Sequence, residues 1–205
     1  MKDFKTIPIP QLMRDNCEVD PRGFPVPFVV LKDKDGKHHF KINDTEKSIK
    51  CIEEKLCTIC GTKMVVEDRW LVGGIASAFD EKGFYIDLPV HKKCGEYALK
   101  VCPYLAYSNY NGKLDMDKLQ AQLPTILLNN PTVDQDRLPF FVFLRPQSFG
   151  YFNIGQSSFR LKAFQPYLEV EFWNEGEQIT DFNIIKSKLK GTKWEKYLKV
   201  MQSSL

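Results

Sequence analysis

The apolar positions of this chain recur with a helical period in some stretches and a strand period in others. Apolar segments at 27–32 and 38–42 flank Asp33-Lys34-Asp35-Gly36-Lys37, which predicts a β-hairpin. From Asn43 the period lengthens. Ile49, Ile52 and Leu56 form one helical face, and Asn43 and Glu46 are spaced as a capping box. From 63 to 88 the pattern is strand-like, at Met64-Val65-Val66, Trp70-Leu71-Val72 and Phe84-Tyr85-Ile86. Gly73-Gly74 reads as a bulge or tight bend, since the rest of a phosphate-binding glycine fingerprint is missing. Asp80-Glu81-Lys82-Gly83 reads as a turn.

Helical spacing returns at Tyr97, Ala98, Val101 and Leu105. A loop at 109–112 and a short helix at 114–123, ending before Pro124, follow. The continuous apolar run Phe140-Phe141-Val142-Phe143-Leu144 predicts a buried strand, and 149–164 carries further strand signals. Leu168, Val170 and Phe172 alternate with Glu169 and Glu171, a half-buried strand with both carboxylates on one face. Thr180 is placed to cap a helix with Phe182, Ile185 and Leu189 inward, which Gly191 ends. Thr192 to Glu195 is a second capping box, opening a last helix with Trp194, Tyr197, Leu198 and Met201 on one side. At the other end, Pro8, Pro10, Pro21 and Pro25 make residues 1–25 an extended arm, packed on its own domain.

The cysteines add chemistry to this outline. Cys57-Thr58-Ile59-Cys60-Gly61 is a Cys-x-x-Cys-Gly turn, and some thirty residues later comes His91-Lys92-Lys93-Cys94. Two ligand pairs at this spacing suit a tetrahedral structural zinc ion, Zn2+. Gly61 permits the positive φ that such a turn often requires. His91 and Cys94 fall at the start of the helix predicted from Tyr97 onward, where the macrodipole favours a thiolate. Cys102 is the alternative to His91 as fourth ligand, although eight helical positions separate it from Cys94 by roughly 12 Å. Pro103 favours placing Cys102 at the helix end instead. A turn-borne pair and a helix-start pair with a hairpin between is the layout of a treble-clef zinc finger. The expected fold class is therefore α+β. A treble-clef-like finger is embedded in a small mixed domain, and an antiparallel sheet with C-terminal helices follows. The expected boundaries are 1–128, a Pro-bounded linker at 129–139, and 140–205.

The same residues carry a resemblance. Leu56-Cys57-Thr58-Ile59-Cys60-Gly61, Pro89-Val90-His91-Lys92-Lys93-Cys94-Gly95-Glu96-Tyr97-Ala98 and Cys102-Pro103-Tyr104-Leu105 resemble a family of uncharacterised phage and bacterial proteins. That family has Leu-Cys-x-x-Cys-Gly, Pro-x-His-x-x-Cys-Ala-Glu-Tyr-Ala and Cys-Pro-x-Leu motifs. The stretch Asp20 to Pro27 is similar to its N-terminal part, and Phe172 to Gly176 to its C-terminal one. Gly95 stands where the family usually has Ala. The resemblance implies zinc and a phage-like origin.

Composition narrows the function classes. At 43% hydrophobic and 13% aromatic residues the chain can bury a core, which excludes bulk disorder. No apolar run reaches the ~18–20 residues of a membrane span, and the N-terminal residues lack a signal-peptide pattern. The expectation is a cytoplasmic protein (host cytoplasm if phage-encoded) with cysteines for metal rather than disulfides. The adjacent His38 and His39 point to opposite strand faces and cannot readily share a metal. A net charge of +3 does not by itself mark a nucleic-acid binder. The C-terminal lysines form a local basic cluster, with Lys186, Lys190, Lys193 and Lys196 as the candidate phosphate contacts.

The leading reading is a zinc-stabilised binding protein contacting a protein or nucleic-acid partner. One alternative is a metal-dependent nuclease on a treble-clef frame, for which three histidines supply few candidates for a general base and further ligands. The other is a structural or assembly protein.

Overall fold

The computed structural model describes residues 4–106, 138–153 and 159–204, and these form an α+β fold with two antiparallel sheets. The loop expected at 109–112, the helix at 114–123 and all but the last two linker positions lie outside the described residues.

The N-terminal segment corrects the extended-arm reading. A 3-10 turn spans Phe4–Thr6, and helix α1 spans Gln11–Asn16. Pro10 precedes α1 and supplies its carbonyl to the amides of Met13 and Arg14. Proline is tolerated there because the first helical turn leaves its amides unpaired anyway. The helix buries Met13 against the cysteine-bearing core. Strands β1 (Val30–Lys32) and β2 (His38–Asn43) form the expected hairpin. Helix α2 (Thr45–Glu54) is capped by Asp44, whose carboxylate accepts from the Lys47 amide, one residue later than the capping box suggested.

The stretch 63–88 holds less strand than its apolar pattern implies. Val66–Asp68 is a 3-10 turn with Val65 and Val66 each 63% exposed, not a strand. Strand β3 is Leu71–Gly73. Gly74 then opens a short helix, α3 (Ile75–Phe79), all five residues of which are buried. The expected strand at Phe84-Tyr85-Ile86 is a single bridge between Tyr85 and Leu161. The Asp80–Gly83 turn is present, closed by the Gly83 amide on the Asp80 carbonyl.

Helices α4 (Lys92–Val101) and α5 (Pro103–Ala106) are separated by Cys102, the C-cap of α4. Strands β4 (Phe141–Asn153), β5 (Phe159–Asn174) and β6 (Glu177–Ile179) follow. Helix α6 (Phe182–Leu189) is capped by Asp181 rather than Thr180. The last turns are a 3-10 segment, Glu195–Tyr197, and α7 (Leu198–Ser203).

The larger sheet has the order β3-β4-β5-β6. Leu71 lies opposite Leu144 and Gly73 opposite Val142, so this sheet takes strands from both sides of 129–139. Alternate residues of its centre point to two different cores. Val142, Leu144 and Phe172 pack with α3, Ile185 and Leu189 of α6, and Met201 of α7. Phe141, Phe143 and Trp173 pack with Trp70, Tyr97 and the cysteines. A strand buried on both faces has no reason to alternate, which is why 140–144 reads as one apolar run.

Candidate metal centre

Two pieces of chain build the site. The first is the turn after α2. The Cys57 amide donates to the Thr62 carbonyl and the Gly61 amide to the Cys57 carbonyl, each at 2.8 Å. Gly61 has φ +70°, and a Cβ there would meet the Phe28 ring at 2.8 Å, so glycine is required on both counts. The second piece is the entry to α4. Val90 exchanges a pair of 2.9 Å backbone hydrogen bonds with Trp70, and the Pro89 carbonyl accepts from the Thr58 amide at 3.3 Å. These bonds hold the His91 end of the chain beside the turn.

The result brings Cys57, Cys60, His91 and Cys94 together. One ligand atom from each lies within 4.8 Å of the other three, and all four residues are buried. Tetrahedral zinc with bonds of about 2.0–2.3 Å needs donors roughly 3.5–3.8 Å apart, which is this scale. The His91 Nδ1 atom is 3.3 Å from Cys60 Sγ, and Nε2 is 3.3 Å from the Lys63 carbonyl. A proton on Nε2 donated to that carbonyl leaves the Nδ1 lone pair for a metal, the usual outer-shell device for a histidine ligand. The His91 amide donates to Cys57 Sγ at 3.4 Å, and the Thr62 hydroxyl lies 3.2 Å from Cys60 Sγ. The Thr62 contact favours thiolate over thiol at Cys60.

Charge makes the same point. Among the four side chains alone, hydrogen bonds with Cys57 and then Cys94 hold Cys60 far below the ordinary thiol range. Hydrogen bonds with Cys57 and Cys60, together with burial, push Cys94 far above it. His91 is raised to about 10 by its hydrogen bonds to Cys57 and Cys60. Three thiolates packed this closely would repel one another. A divalent cation bound here would remove that conflict, favouring deprotonated thiols and a neutral imidazole. The donor set therefore fits a metal ion such as zinc, with all four tetrahedral positions supplied by protein.

The remaining sequence candidates have other places. Cys102 stands at the far end of α4, outside the group. Cys51 is buried beside Val29 and Leu56, and burial pushes its thiol up to about 12. His38 Nε2 lies 3.2 Å from Glu18 and His39 Nε2 2.7 Å from Asp33, so the adjacent histidines serve different carboxylates. Glu169 and Glu171 are bridged by Lys92, at 3.4 and 3.1 Å. Lys186, Lys190, Lys193 and Lys196 are exposed on the C-terminal helical segment, which packs on the other core.

Three contributors escaped the sequence reading. Asp68 accepts from the Lys92 amide at 2.7 Å and so caps α4 from 24 residues away. Lys92 lies 4.3 Å from the Trp70 ring centroid and ties the ligand helix to β5 through Glu169 and Glu171. Cys17 donates to the Ile59 carbonyl inside the turn, with its thiol raised to about 12 by burial and by the charges of Cys60 and Cys57.

No protein-family model, curated protein or solved structure matches the chain. Among the described residues, no helix is long and apolar enough to cross a membrane.

Proposed function

We propose that this protein is a zinc-stabilised binding module. One Zn2+ is held by Cys57, Cys60, His91 and Cys94 in a treble-clef-like frame, and the remaining surface contacts a protein or nucleic-acid partner. The observation that carries this reading is the buried group of four donor atoms within 4.8 Å. Four protein ligands leave no position for water or substrate, so the ion serves folding rather than catalysis. The location of the group supports a structural role. Cys57, Cys60 and Cys94 share a core with Phe143 and Trp173, so the metal would fasten the ligand helix to the larger sheet. Six cysteines with no disulfide among them suit a reducing cytoplasm, and the motif resemblance supports a phage-type origin.

Elemental analysis of protein expressed with zinc available tests the assignment. One zinc per chain is expected, retained by Cys102→Ser and lost from Cys94→Ser. Metal-free folded protein, or the reverse response of the two variants, refutes it.

A further inference from the structure

The charge of the chain is unevenly distributed. From Phe182 to the C-terminus there are six lysines and a single carboxylate, Glu195, a net of +5 in side chains. The whole chain carries only +3, so the preceding 181 residues sum to −2. Segregation of this kind marks a surface for a polyanion rather than a uniformly wetted protein.

The lysines are also arrayed. Lys186 and Lys190 are four apart along α6 and its C-cap, which places them on one face. Lys193, just before the 3-10 segment, Lys196 within it and Lys199 in α7 follow at intervals of three. Three of the ammonium groups are steadied by rings: Lys186 5.3 Å from Phe182, Lys193 5.1 Å from Trp194 and Lys196 4.8 Å from Tyr197. Of the nearby carboxylates, Asp80 forms an ion pair with Lys196. Glu195 accepts from the Gly191 amide, Asp181 caps α6, and Asp80 accepts from the Tyr197 hydroxyl, standing 3.8 Å from Lys196.

The chemistry of the patch selects among polyanions. Ile185, Leu189 and Met201 are buried, and among the described residues of this segment Ile184 is the one large apolar side chain left exposed, too little to form the broad apolar face with which an interfacial helix enters a membrane. Trp194 and Tyr197 are buried and the segment has no arginine, so the usual anchors of a protein interface are missing from it. The same rings lie under lysines and are closed to base stacking. What remains is an array of point charges suited to a regular phosphate backbone.

We infer that Lys186, Lys190, Lys193 and Lys196 form a binding surface for the phosphate backbone of double-stranded nucleic acid, without base readout. This rests on the binding-module reading above and names its partner class. Each lysine–phosphate contact contributes a slope of about −0.9 in log affinity against log salt on a duplex. Four to five contacts give a loss of roughly 10²- to 10³-fold between 50 and 200 mM salt.

The test is fluorescence anisotropy of the zinc-loaded full chain with labelled 20-base-pair DNA and RNA duplexes of two unrelated sequences, over a salt series. The variant Lys186→Gln/Lys190→Gln/Lys193→Gln/Lys196→Gln should bind at least tenfold more weakly at 50 mM salt. Its salt slope should be shallower by roughly 3–4, at about 0.9 per contact. The two double variants should each remove about half of that slope, which keeps the test available if the quadruple variant folds poorly. A matched control, Arg14→Gln/Lys34→Gln/Lys37→Gln/Lys50→Gln, should bind as the unmodified chain does. No duplex binding at 50 mM salt overturns the proposal, as does equal loss in the control. Preference for single strands, polyglutamate or phosphatidylserine vesicles over duplex also overturns it. Zinc content is measured on the same samples. A chain that holds one zinc and ignores duplexes defeats only this inference, and one that binds duplexes without zinc defeats only the zinc reading.

Discussion

Replacing Gly95 by alanine sets two known effects against each other beside the metal centre. Gly95 follows the proposed ligand Cys94 and makes the first hydrogen bond of α4, its amide donating to the His91 carbonyl at 3.0 Å. Alanine in a helix interior is favoured over glycine by roughly 0.5–1 kcal/mol. A Cβ at this position, however, would lie 2.6 Å from both Cε2 and Cζ of Phe143 and 3.0 Å from Cγ2 of Val90. Phe143 is fully buried and its ring meets that of Trp70 at a centroid distance of 4.7 Å, so it has nowhere to retreat. Overpacking of this kind costs about 1–3 kcal/mol. The clash wins, and Gly95→Ala should destabilise the zinc-loaded protein by about 1–2 kcal/mol, read as a melting temperature roughly 2–8 °C lower. Relief of the clash moves α4, which carries Cys94, away from the sheet. Zinc affinity in a competition titration should therefore fall about 5- to 30-fold. The double variant with Phe143→Leu isolates the contact, because in that background the alanine should cost little or stabilise. A rise in melting temperature for Gly95→Ala alone would show that helix propensity governs this position and that α4 does not press on Phe143 as described.

Three further outcomes follow from named contacts. Removing zinc with a chelator should lower the melting temperature by about 5–10 °C relative to protein with free zinc at 100 times its Kd, where binding contributes about 2.7 kcal/mol; calorimetry with and without chelator measures it. Among the described glycines, Gly83→Ala should destabilise most, because its Cβ would fall 2.0 Å from the backbone carbonyl of Ala76; chemical denaturation compares it with Gly150→Ala, whose Cβ would meet the Phe164 ring at an ordinary 3.5 Å. Burial raises the Asp20 pKa, but hydrogen bonds from the Phe24 amide and from the Arg22 side chain and amide outweigh it, so the net shift is downward. A depressed carboxylate stabilises the fold above its unfolded pKa, near 3.8, and that contribution disappears as pH falls through the lower folded value; Asp20→Asn should flatten this limb of the acid-unfolding curve.

The parts of the site that were legible in the sequence are those set by local spacing. Cys57 and Cys60 share a turn, Gly61 shapes it, and His91 and Cys94 open one helix, so each pair is fixed by neighbours within four residues. Element types were legible where one period held, as in β5 and α6. They were lost where burial on all sides erased the period. The Ile75–Phe79 segment is buried at every position, so nothing in its pattern separates a short helix from a strand. Val65 and Val66 failed in the opposite sense, as β-branched residues left exposed in a 3-10 turn. That turn has a tertiary purpose, since it delivers the Asp68 carboxylate to the Lys92 amide. Such a cap is invisible along the chain because helix-capping signals are read within four residues.

The long-range contacts explain why the metal centre and the larger sheet should respond together. Each sits where the other's sequence could not indicate it. Trp70 pairs with Val90 on one side and stacks toward Phe143 on the other. Lys92, between His91 and Cys94, spans to Glu169 and Glu171 on β5, and Glu171 also accepts from the Trp173 indole at 2.9 Å. Trp173 completes the path, packing in the same core as Cys57, Cys60 and Cys94. A perturbation of the ligands therefore reaches β4 and β5 through packed rings and an ion network rather than through the chain. The helices that bear the C-terminal lysines pack on the opposite core of that sheet, with Ile185 and Leu189 in one cluster with Val142 and Leu144. Their array depends on the sheet being formed, not on direct contact with the metal. Loss of zinc should accordingly weaken duplex binding only to the extent that it unfolds the sheet, and the two losses should share one midpoint in a chelator titration. Binding lost well before the sheet unfolds would place the nucleic-acid surface at the metal centre instead.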